Sequence, residues 1–399
     1  MLCIRHPGPA LALVAAGWLV AAAAHGAQPG PVDGQGPPLV VVIGAAGGAS
    51  GSRAAVGQDH NNGVILAAEE LNRRQLRIGG RLVLWKVEAE DDQGDPRQAA
   101  SVAQKFIDRG VAAVVGHDTS GATYAAMHLY AAAGVPMLVA AATDARLASM
   151  GSRTFYRVIG DDRVVAAALA RYAHDDLRGR RVATIDDRTA YGQGLADGFS
   201  RAAEALGLQV VAREYTEDHA VDFSAVLTRL RGMRLDAILY GGVYAQGGLM
   251  LRQMRNLGMS AKLLAGDGTC VRGVVELAGP AIDRLVCGES GLPLDRMPEG
   301  IAWKQRYDRR FGAAAFQSFS PYAYDATMLL ARAMVAANSV DPARYQRALR
   351  GTDHDGVTRE HIRFLPDGNL ASPQVTLSVF RGGRKVALRV ESIRVHLPR

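Results

Sequence analysis

Aromatic side chains are scarce in this chain and make up only 6% of its 399 residues. So few rings disfavour a single-stranded nucleic-acid binder, in which aromatic side chains stack on successive bases. Charge of one sign is not concentrated either, because the lysines and arginines that give a net charge of +7 are interspersed with acidic residues. A nucleic-acid groove needs clustered basic residues, and we therefore expect no nucleic-acid partner.

The common motifs of catalytic and metal sites are also missing. The sequence contains no G-x-S-x-G elbow, no H-E-x-x-H helix and no C-x-x-C pair, which disfavours a serine hydrolase, a zinc protease and a zinc ribbon. The glycines of Gly192–Gly198 depart from the G-x-G-x-x-G spacing of a dinucleotide site. Asp91 and Asp92 have no third candidate ligand nearby, so we predict a solvated turn there. We expect a protein that is not an enzyme and carries no cofactor or metal.

Long apolar runs are absent except at the start of the chain. Residues 1–27 combine Arg5, the apolar run Pro9–Ala24 and a few small residues after it, which is the pattern of a secretory signal peptide. The run is shorter than the roughly 20 residues that span a bilayer, and no cysteine near its end offers a site for a lipid. We predict cleavage within residues 24–28, a disordered leader over 28–38, and an exported, soluble mature protein.

Cysteine is rare, with three residues in all, of which Cys3 lies in the predicted signal peptide. Cys270 and Cys287 remain in the exported chain, and an oxidising compartment favours a disulfide between such a pair. The sequence does not show whether their Cα atoms come within bridging distance, so the bridged and reduced forms both stay open at this point.

Short apolar runs alternate with amphipathic stretches from Leu39 onward, which predicts βαβ units and parallel sheets. One series runs from LVVVIGA to VPMLVAA, and a second follows FYRVIGDD, from RVATIDD to KLLAGD. Two such series predict an α/β protein with two doubly wound lobes, in keeping with a length beyond the usual limit of one core. The segment QVTLSVFRGGRKVALRV predicts two strands around a Gly-Gly turn. The helices predicted over Pro298–Phe311 and Tyr322–Ala337 need a sheet to cover, so we expect the chain to cross between lobes more than once, around a hinge.

Four polar turns follow predicted strands, where open α/β sheets bind ligands. Two of them carry hydroxyl groups, at Ser120 in the turn 117–121 and at Thr143. The other two carry Tyr191 and Asp267. The ordinary alternative is helix capping for Ser120, Thr143 and Asp267, and packing for Tyr191. Together, however, the four turns give two lobes that offer hydroxyl groups for a carboxylate and a carboxylate for an ammonium group. That pairing suits a zwitterionic amino acid.

Several segments, in this order, resemble the periplasmic branched-chain amino-acid-binding proteins of ABC transport systems, which are similar to the Leu/Ile/Val-binding protein and have the type I periplasmic-binding fold. The resemblance covers nearly the whole chain from Leu39 and is carried by NNGVILAAEELN, EDDQGDPRQAASVAQKFIDRGVAAVVGHDTSGAT, VPMLVAAATDARL, FYRVIGDD, AYGQGLADGFSRAAEALG and ILYGGVYAQGGLMLRQMRNLG. It implies two lobes joined by three crossovers near Gly160, Ser290 and Gly368. The lobes would be residues 39–160 with 290–368, and residues 161–289 with 369–399.

The resemblance also implies a set of ligand contacts. Ser120, Ala141 and Thr143, with Ala142 between the last two, match positions that bind the ligand carboxylate. Tyr191 matches a tyrosine that packs over the ligand, and Asp267 stands where the family usually has a glutamate facing the ammonium group. The family's second cleft tyrosine falls at Val243 or at the adjacent Tyr244, and we predict Tyr244 as the contact while the sequence leaves the choice open.

The function implied by the resemblance is the capture of an amino acid, branched-chain or related, or of a similar small carboxylate or amide, for delivery to an ABC permease. It implies a periplasmic monomer whose partners are its small ligand and the permease subunits. The alternative is a ligand-sensing periplasmic subunit of a signalling receptor, which would use the same cleft. An exported hydrolase is disfavoured because no nucleophile and base are assembled in the sequence.

Overall fold

The computed structural model describes residues 36–392 of the chain. The predicted signal peptide and most of the predicted leader lie outside these residues. Among the helices of the described part, none is long and apolar enough to cross a membrane. The described residues form two sheets covered by helices, so the predicted α/β class with two doubly wound lobes is confirmed.

The first sheet has six strands in the order β2-β3-β1-β4-β5-β6. They are β1 (Leu39–Gly47), β2 (Arg77–Ile78), β3 (Arg81–Asp91), β4 (Ala113–Val115), β5 (Met137–Val139) and β6 (Phe155–Arg157). All neighbours pair in parallel except β2 and β3. These two form a hairpin whose turn residues, Gly79 and Gly80, have φ angles of 59° and 78°, as a tight two-residue hairpin turn requires. The helices of this series are α1 (Ala54–Arg73), α2 (Pro96–Asp108), α3 (Ser120–Ala133) and α4 (Arg146–Ser149).

The second sheet has seven strands in the order β13-β12-β11-β10-β9-β7-β8. They are β7 (Arg181–Asp186), β8 (Gln209–Tyr215), β9 (Ala237–Gly241), β10 (Lys262–Ala265), β11 (Leu285–Ser290), β12 (Gln374–Arg381) and β13 (Arg384–Ser392). Its helices are α5 (Asp162–Arg171), α6 (Ala190–Ala205), α7 (Ser224–Arg231), α8 (Tyr244–Asn256) and α9 (Val274–Ala278). The strands β12 and β13 are the predicted terminal hairpin, with Gly382 and Gly383 at φ 56° and 73° in its turn.

Three later helices pack back on the first sheet. They are α10 (Gly300–Phe311), α11 (Ser320–Ala336) and α12 (Pro342–Arg350), and their apolar side chains share one core with β1, β3 and α1. Helices α1 and α11 approach each other closely, since a Cβ added to Gly63 would lie 2.1 Å from the carbonyl oxygen of Ser320. Only a residue without a side chain fits between these two helices.

The start of α11 is fixed by a buried carboxylate from α1. Asp59 is fully buried and accepts hydrogen bonds from the backbone N–H groups of Ser318, Phe319 and Ser320, at 2.9 to 3.1 Å. The hydroxyl groups of Ser320 and Tyr307 donate to its other oxygen, at 2.6 and 2.8 Å. This cap neutralises the free N–H groups of the helix start and holds Phe319 in place.

The chain passes between the two sheets in three segments that lie side by side. The first follows β6, the second follows β11 and the third precedes β12. Ser290 Oγ donates to the carbonyl of Gly160 at 3.0 Å, and the N–H of Arg157 donates to the carbonyl of Gly368 at 2.8 Å. The buried guanidinium of Arg157 also donates to Asn369 Oδ1 and to the carbonyl of Asp144. The exact residues that bound the two lobes stay a prediction.

The structure excludes two of the capping alternatives, and one expectation from local sequence is wrong. Ser120 is not the N-cap of α3, because Thr119 takes that place and its hydroxyl accepts from the N–H of Ala122. Asp267 caps no helix, since α9 begins only at Val274. Asp92 is not in a solvated turn: it is fully buried, and its carboxylate lies 2.5 Å from His117 Nδ1. This buried pair of Asp92 and His117 stabilises the loop that precedes α3.

Candidate functional site

A cavity of about 520 Å³ lies between the two sheets, at the carboxyl ends of their strands. In each sheet it sits where the strand order reverses, beside β1 and β4 in the first sheet and beside β7 and β9 in the second. Such switch points are where doubly wound folds bind their ligands, because the loops diverge there and leave a crevice. Five of the predicted contacts line this cavity: Ser120, Ala141, Ala142, Tyr191 and Asp267.

Two predicted contacts lie beside the cavity rather than on its wall. Thr143 is buried next to it, and its hydroxyl has no hydrogen-bond partner among residues 36–392. Tyr244 begins α8 and its ring packs against Gly273, where an added Cβ would lie 2.6 Å from a ring carbon. Val243, the N-cap residue of α8, lines the cavity instead. Of the two positions that the sequence left open, the structure therefore brings Val243 to the wall.

The wall formed by the first sheet carries hydroxyl groups and a helix N-terminus. Ser120 is buried at the first turn of α3, and its Oγ accepts from the N–H of Asp144 at 3.2 Å. The N–H groups of a first helical turn have no partner within the helix and carry partial positive charge. This wall is therefore suited to a carboxylate.

The opposite wall pairs Tyr191 with Asp267. The Tyr191 hydroxyl lies 3.4 Å from Asp267 Oδ1 and accepts from the N–H of Gly268 at 3.2 Å. A Cβ on Gly268 would lie 2.9 Å from the tyrosine ring, so the glycine makes room for this contact. Asp267 Oδ2 is buried and has no hydrogen-bond partner within the described part of the chain. Burial, with the nearby Glu289 carboxylate, raises the pKa of Asp267 to about 7.

A second buried carboxylate, Asp162, lies beside Thr143, outside the residues that line the cavity, and was not predicted. It is the first residue of α5, and its N–H donates to the carbonyl of Thr143 at 2.8 Å. Neither of its carboxylate oxygens has a hydrogen-bond partner of normal geometry among residues 36–392. Burial and the charge of Asp267 raise its pKa well above the usual range, and the nearby Thr143 hydroxyl only partly offsets this.

The sequence did contain a signal for Asp162. Two aspartates follow each other at the start of α5, and only one of them can be the N-cap. Asp161 takes that role, since its side chain accepts from the N–H of Arg163 at 3.0 Å. Asp162 is therefore not needed for capping, and its side chain is buried. Phe319 and Val271 also line the cavity, and nothing local in the sequence marked them.

The electrostatics of the cavity follow from these positions. Asp162 and Asp267 each lie in a poorly solvated place where a negative charge is costly, and the charge of Asp267 adds to the cost at Asp162. A positive group placed between them would lower the free energy of both carboxylates. An ammonium group offers one positive charge and three N–H donors, and it matches this wall.

Charged residues also line the cavity. Its lining includes Arg53 and Asp118 from the loops after β1 and β4, and Asp187, Arg188, Glu217 and Asp218 from the second sheet. Asp187 is buried and accepts from both the N–H and the hydroxyl of Thr189. Burial nevertheless raises its pKa to about 6. No group of three or more metal-ligating side chains occurs within residues 36–392.

A disulfide supports the loop that carries Asp267. Cys270 follows it by three residues and is joined to Cys287 of β11, with 5.8 Å between the Cα atoms. Both cysteines are fully buried in the core of the second sheet. The bridge ties the Asp267 loop to the strand that leads into a crossing segment.

Comparisons with known proteins agree with this architecture. The family model described as "Periplasmic binding protein" matches residues 40–384. The chain is 31% identical over 306 residues to an amino acid binding protein of Pseudomonas aeruginosa, covering 76% of this chain and 80% of that one. It is 30% identical over 310 residues to Leu/Ile/Val-binding protein homolog 1 of Brucella suis, covering 78% and 82%.

Solved structures show the same fold. A leucine-binding protein of Thermotoga maritima matches with a TM-score of 0.81 and 26% identity, over 88% of this chain and 99% of that one. A branched-chain amino acid substrate-binding protein of Streptococcus pneumoniae, solved with isoleucine, matches with a TM-score of 0.78 and 25% identity, over 90% and 99%. With its two sheets, its three crossing segments and a cavity between them, this chain belongs to the periplasmic binding protein family.

Proposed function

We propose that this protein is a periplasmic solute-binding protein that captures an amino acid and delivers it to an ABC permease. The observation that carries the proposal is the buried carboxylate of Asp267, whose Oδ2 has no hydrogen-bond partner among residues 36–392, across the cavity from the hydroxyl group of Ser120 and the N-terminus of α3. The two walls have opposite polarity, as the two charged groups of an amino acid require. The names of the relatives support the same ligand class.

In this proposal most of the predicted residues have a role. Ser120, Thr143 and the backbone of Ala141 and Ala142 hold the ligand carboxylate. Asp267 holds the ammonium group, while Tyr191 packs over the ligand and orients Asp267 through its hydroxyl. Val243 and Tyr244 lie at the start of α8, the first on the cavity wall and the second behind it. No bond is made or broken, and the protein acts by binding alone.

Transport follows from movement of the two lobes about the crossing segments. A ligand that contacts both walls favours the closed arrangement, because it binds that arrangement more tightly. The closed form is then the one that the permease recognises. We propose that the protein reaches the periplasm by its signal peptide and acts there as a monomer.

Isothermal titration of the purified protein tests the binding function. The panel contains the twenty amino acids and, for each that binds, an analogue without the ammonium group and one without the carboxylate. We expect at least one amino acid to bind and both of its analogues to bind far more weakly. The absence of heat and of any thermal shift across the panel would contradict the proposal.

A further inference from the structure

The end of the second lobe that lies farthest from the cavity carries a cluster of arginines. The parallel strands β7, β9 and β10 are neighbours in the second sheet, and the segments that lead into their amino ends hold six exposed arginines. These are Arg178, Arg180, Arg181, Arg231, Arg234 and Arg255, here called the basic end. Because the cavity lies at the carboxyl ends of the strands, the basic end and the cavity occupy opposite ends of the lobe.

Hydrogen bonds hold these segments side by side. Asp236 Oδ2 accepts from the backbone N–H groups of Arg180 and Arg181 at 2.7 and 2.9 Å. The guanidinium of Arg181 donates to the carbonyl of Met233 at 3.1 Å, and the N–H of Lys262 donates to the carbonyl of Asp236 at 3.1 Å. The fold therefore brings to one surface arginines that are far apart in the sequence, where acidic residues are interspersed between them.

The charges of the basic end are not neutralised by ion pairs. None of its arginines pairs with a carboxylate among residues 36–392. Three exposed acidic residues without an arginine or lysine partner in that part of the chain lie at the same end: Asp175, Asp236 and Asp283. The corresponding end of the first lobe differs, because Arg73 and Arg109 there are paired with glutamates. The basic end thus keeps an excess of positive charge that is open to solvent.

The second lobe is electrically polarised as a result. At its other end, the residues of this lobe that line the cavity include four carboxylates, Asp187, Glu217, Asp218 and Asp267, against one cation, Arg188. An anionic surface attracts the first end and repels the second, so its field orients the molecule. The basic end would face such a surface, and the cavity would stay on the side away from it.

We propose that the basic end binds the phosphate groups of an anionic phospholipid bilayer and holds the exported protein at the membrane surface. Each basic residue near such a surface strengthens binding about fivefold, and guanidinium groups suit phosphate oxygens because they can donate two parallel hydrogen bonds. A single-stranded nucleic acid fits less well, since residues 178–181, 231–236 and 255–262 contain no aromatic side chain on which a base could stack. From the proposed function the inference takes the export of the protein and nothing about its ligand.

Binding to lipid vesicles tests the inference. The protein is purified from the periplasm of an expression host, so that the predicted signal peptide has been removed. It is then sedimented with vesicles of phosphatidylcholine alone and with vesicles that also contain phosphatidylglycerol. We expect binding to the mixed vesicles and none to phosphatidylcholine. The binding should be lost at about 0.5 M salt, where screening shortens the reach of the surface charge to a few ångströms.

Two matched double variants locate the binding surface. Arg180→Gln/Arg234→Gln removes two charges from the basic end and should lower the affinity for mixed vesicles at least about tenfold. Arg97→Gln/Arg344→Gln removes two exposed charges from α2 and α12 of the first lobe and should lower it less than about threefold, because charges beyond the screening length contribute little. The melting temperature and the ligand affinity of both variants should equal those of the wild type, which shows that fold and cavity are intact.

The possible results separate this inference from the proposed function. It is supported if binding requires phosphatidylglycerol and falls mainly in Arg180→Gln/Arg234→Gln. It is overturned if the wild type does not bind the mixed vesicles, if the two double variants lose equal affinity, or if the protein binds single-stranded DNA but no vesicles. A protein that binds vesicles in the expected way but binds no amino acid would contradict the proposed ligand and leave this inference standing.

Discussion

At the scale of single residues, Asp162 and Asp267 differ from the buried carboxylates of Asp59 and Asp325. Asp187, which lines the same cavity, resembles Asp267 in having one buried oxygen, Oδ2, without a partner among residues 36–392. Asp59 and Asp325 are equally buried, but each accepts several hydrogen bonds from backbone and hydroxyl groups. Asp162 has none of normal geometry within residues 36–392, and Asp267 has one oxygen without a partner there. A structural carboxylate is satisfied by its own fold, whereas these two are left for something that the fold does not supply.

Removing the charge of Asp267 should weaken binding of ligands that carry an ammonium group. For Asp267→Asn we expect a loss of roughly 1.5–3 kcal/mol, the usual worth of a hydrogen bond to a charged group, measured by titration with the amino acid that binds best. The deaminated acid should be little affected. The exposed Asp283→Asn is the control and should bind both ligands normally. Equal losses for the amino acid and its deaminated analogue would contradict the role given to Asp267.

The raised pKa of Asp267 predicts a pH dependence of the ligand-free protein. Its pKa is about 7 when folded and about 3.9 when unfolded, so folding favours the protonated form. The stability that this group contributes is fully present below about pH 4 and is lost as the pH rises through 7. The free energy of unfolding of the wild type and of Asp267→Asn can be measured by urea denaturation from pH 5 to 8. As the pH rises, the wild type should lose stability relative to the variant.

Binding should show the opposite dependence. An ammonium ligand needs the ionised carboxylate, so its affinity should fall as the pH drops below 7, with protons released on binding at pH 6. Titration in buffers of different ionisation enthalpy measures this release. An affinity that stays constant from pH 5.5 to 8 would show that Asp267 is not the group that binds the ligand.

The sequence predicts part of this site at residue scale. Ser120, Tyr191 and Asp267 lie directly after strands, so a general rule on strand ends located them. Thr119 and not Ser120 caps α3, because adjacent hydroxyl residues compete for one cap and the backbone conformation decides between them. Arg53 and Asp118 come from different loops, and their contact depends on how β1 and β4 pair, which no local pattern states.

At the scale of elements, the contact of α1 with α11 limits what the first lobe tolerates. Gly63→Ala should destabilise the protein by about 1–3 kcal/mol or more, because the new methyl group meets the backbone of Ser320, which has no rotamer with which to yield. Gly232→Ala is the matched control: the residue is exposed and the added carbon lies 3.7 Å from its nearest neighbour. The control should be neutral or slightly stabilising. Equal melting temperatures for the two variants would contradict this packing argument.

The disulfide should stabilise the second lobe and keep the Asp267 loop in place. Its cysteines are separated by 17 residues, and a loop of that length restricts the unfolded chain by roughly 3 kcal/mol. We expect Cys270→Ser/Cys287→Ser to lose about that much stability in urea denaturation. A reductant should destabilise the wild type and leave the double variant unchanged. The prediction would be contradicted if thiol titration shows that the reductant has fully reduced the disulfide and the stability of the wild type is nevertheless unchanged.

The alternation of strands and helices was predictable because each apolar run has the length of a strand and each amphipathic stretch the length of a helix. The short elements were not. The two residues of β2 form a strand only because β3 lies beside them. The helix that begins at Asp162 is an α-helix only to Arg171, and Tyr172–Asp176 continue it as a π-helix. Such features are set by tertiary neighbours rather than by local propensity.

At the scale of the whole molecule, the two lobes also touch at the mouth of the cavity. Arg146 of α4 is held by Asp144 Oδ2 at 2.7 Å, and its guanidinium donates to the carbonyl of Ala190, the first residue of α6, at 3.1 Å. Helix α4 follows a strand of the first sheet, β5, and α6 follows a strand of the second sheet, β7. The contact therefore exists only when the lobes are close together, and it contributes to closure from outside the ligand.

Arg146→Ala should weaken ligand binding by up to about fivefold, since the side chain is half exposed and such contacts are worth 0.2–1 kcal/mol. Small-angle scattering should show a larger radius of gyration for the variant without ligand than for the variant with saturating ligand. Arg201→Ala, on the exposed side of α6, is the control and should bind as the wild type does. A variant with unchanged affinity would show that this contact does not contribute to closure.

The return of the chain to the first lobe was predictable, because the late helices must pack on a sheet. Their partners were not predictable: α11 packs on α1 through Gly63 and Ser320, which are far apart in sequence. The sequence therefore predicts two lobes built from interleaved segments, but not the contacts within them. The contacts that hold them together come from chain segments that meet after folding.

The two Gly-Gly hairpin turns give this architecture a practical use. Gly79 and Gly80 lie at one edge of the first sheet, and Gly382 lies in the turn at one edge of the second; an added Cβ at any of the three would meet open space. A fluorescent donor attached beside one turn and an acceptor beside the other, and not on the glycines themselves, whose positive φ angles disfavour any side chain, would report the distance between the lobes without entering the cavity. A protein labelled in this way would report the binding of its ligand by energy transfer within a single molecule.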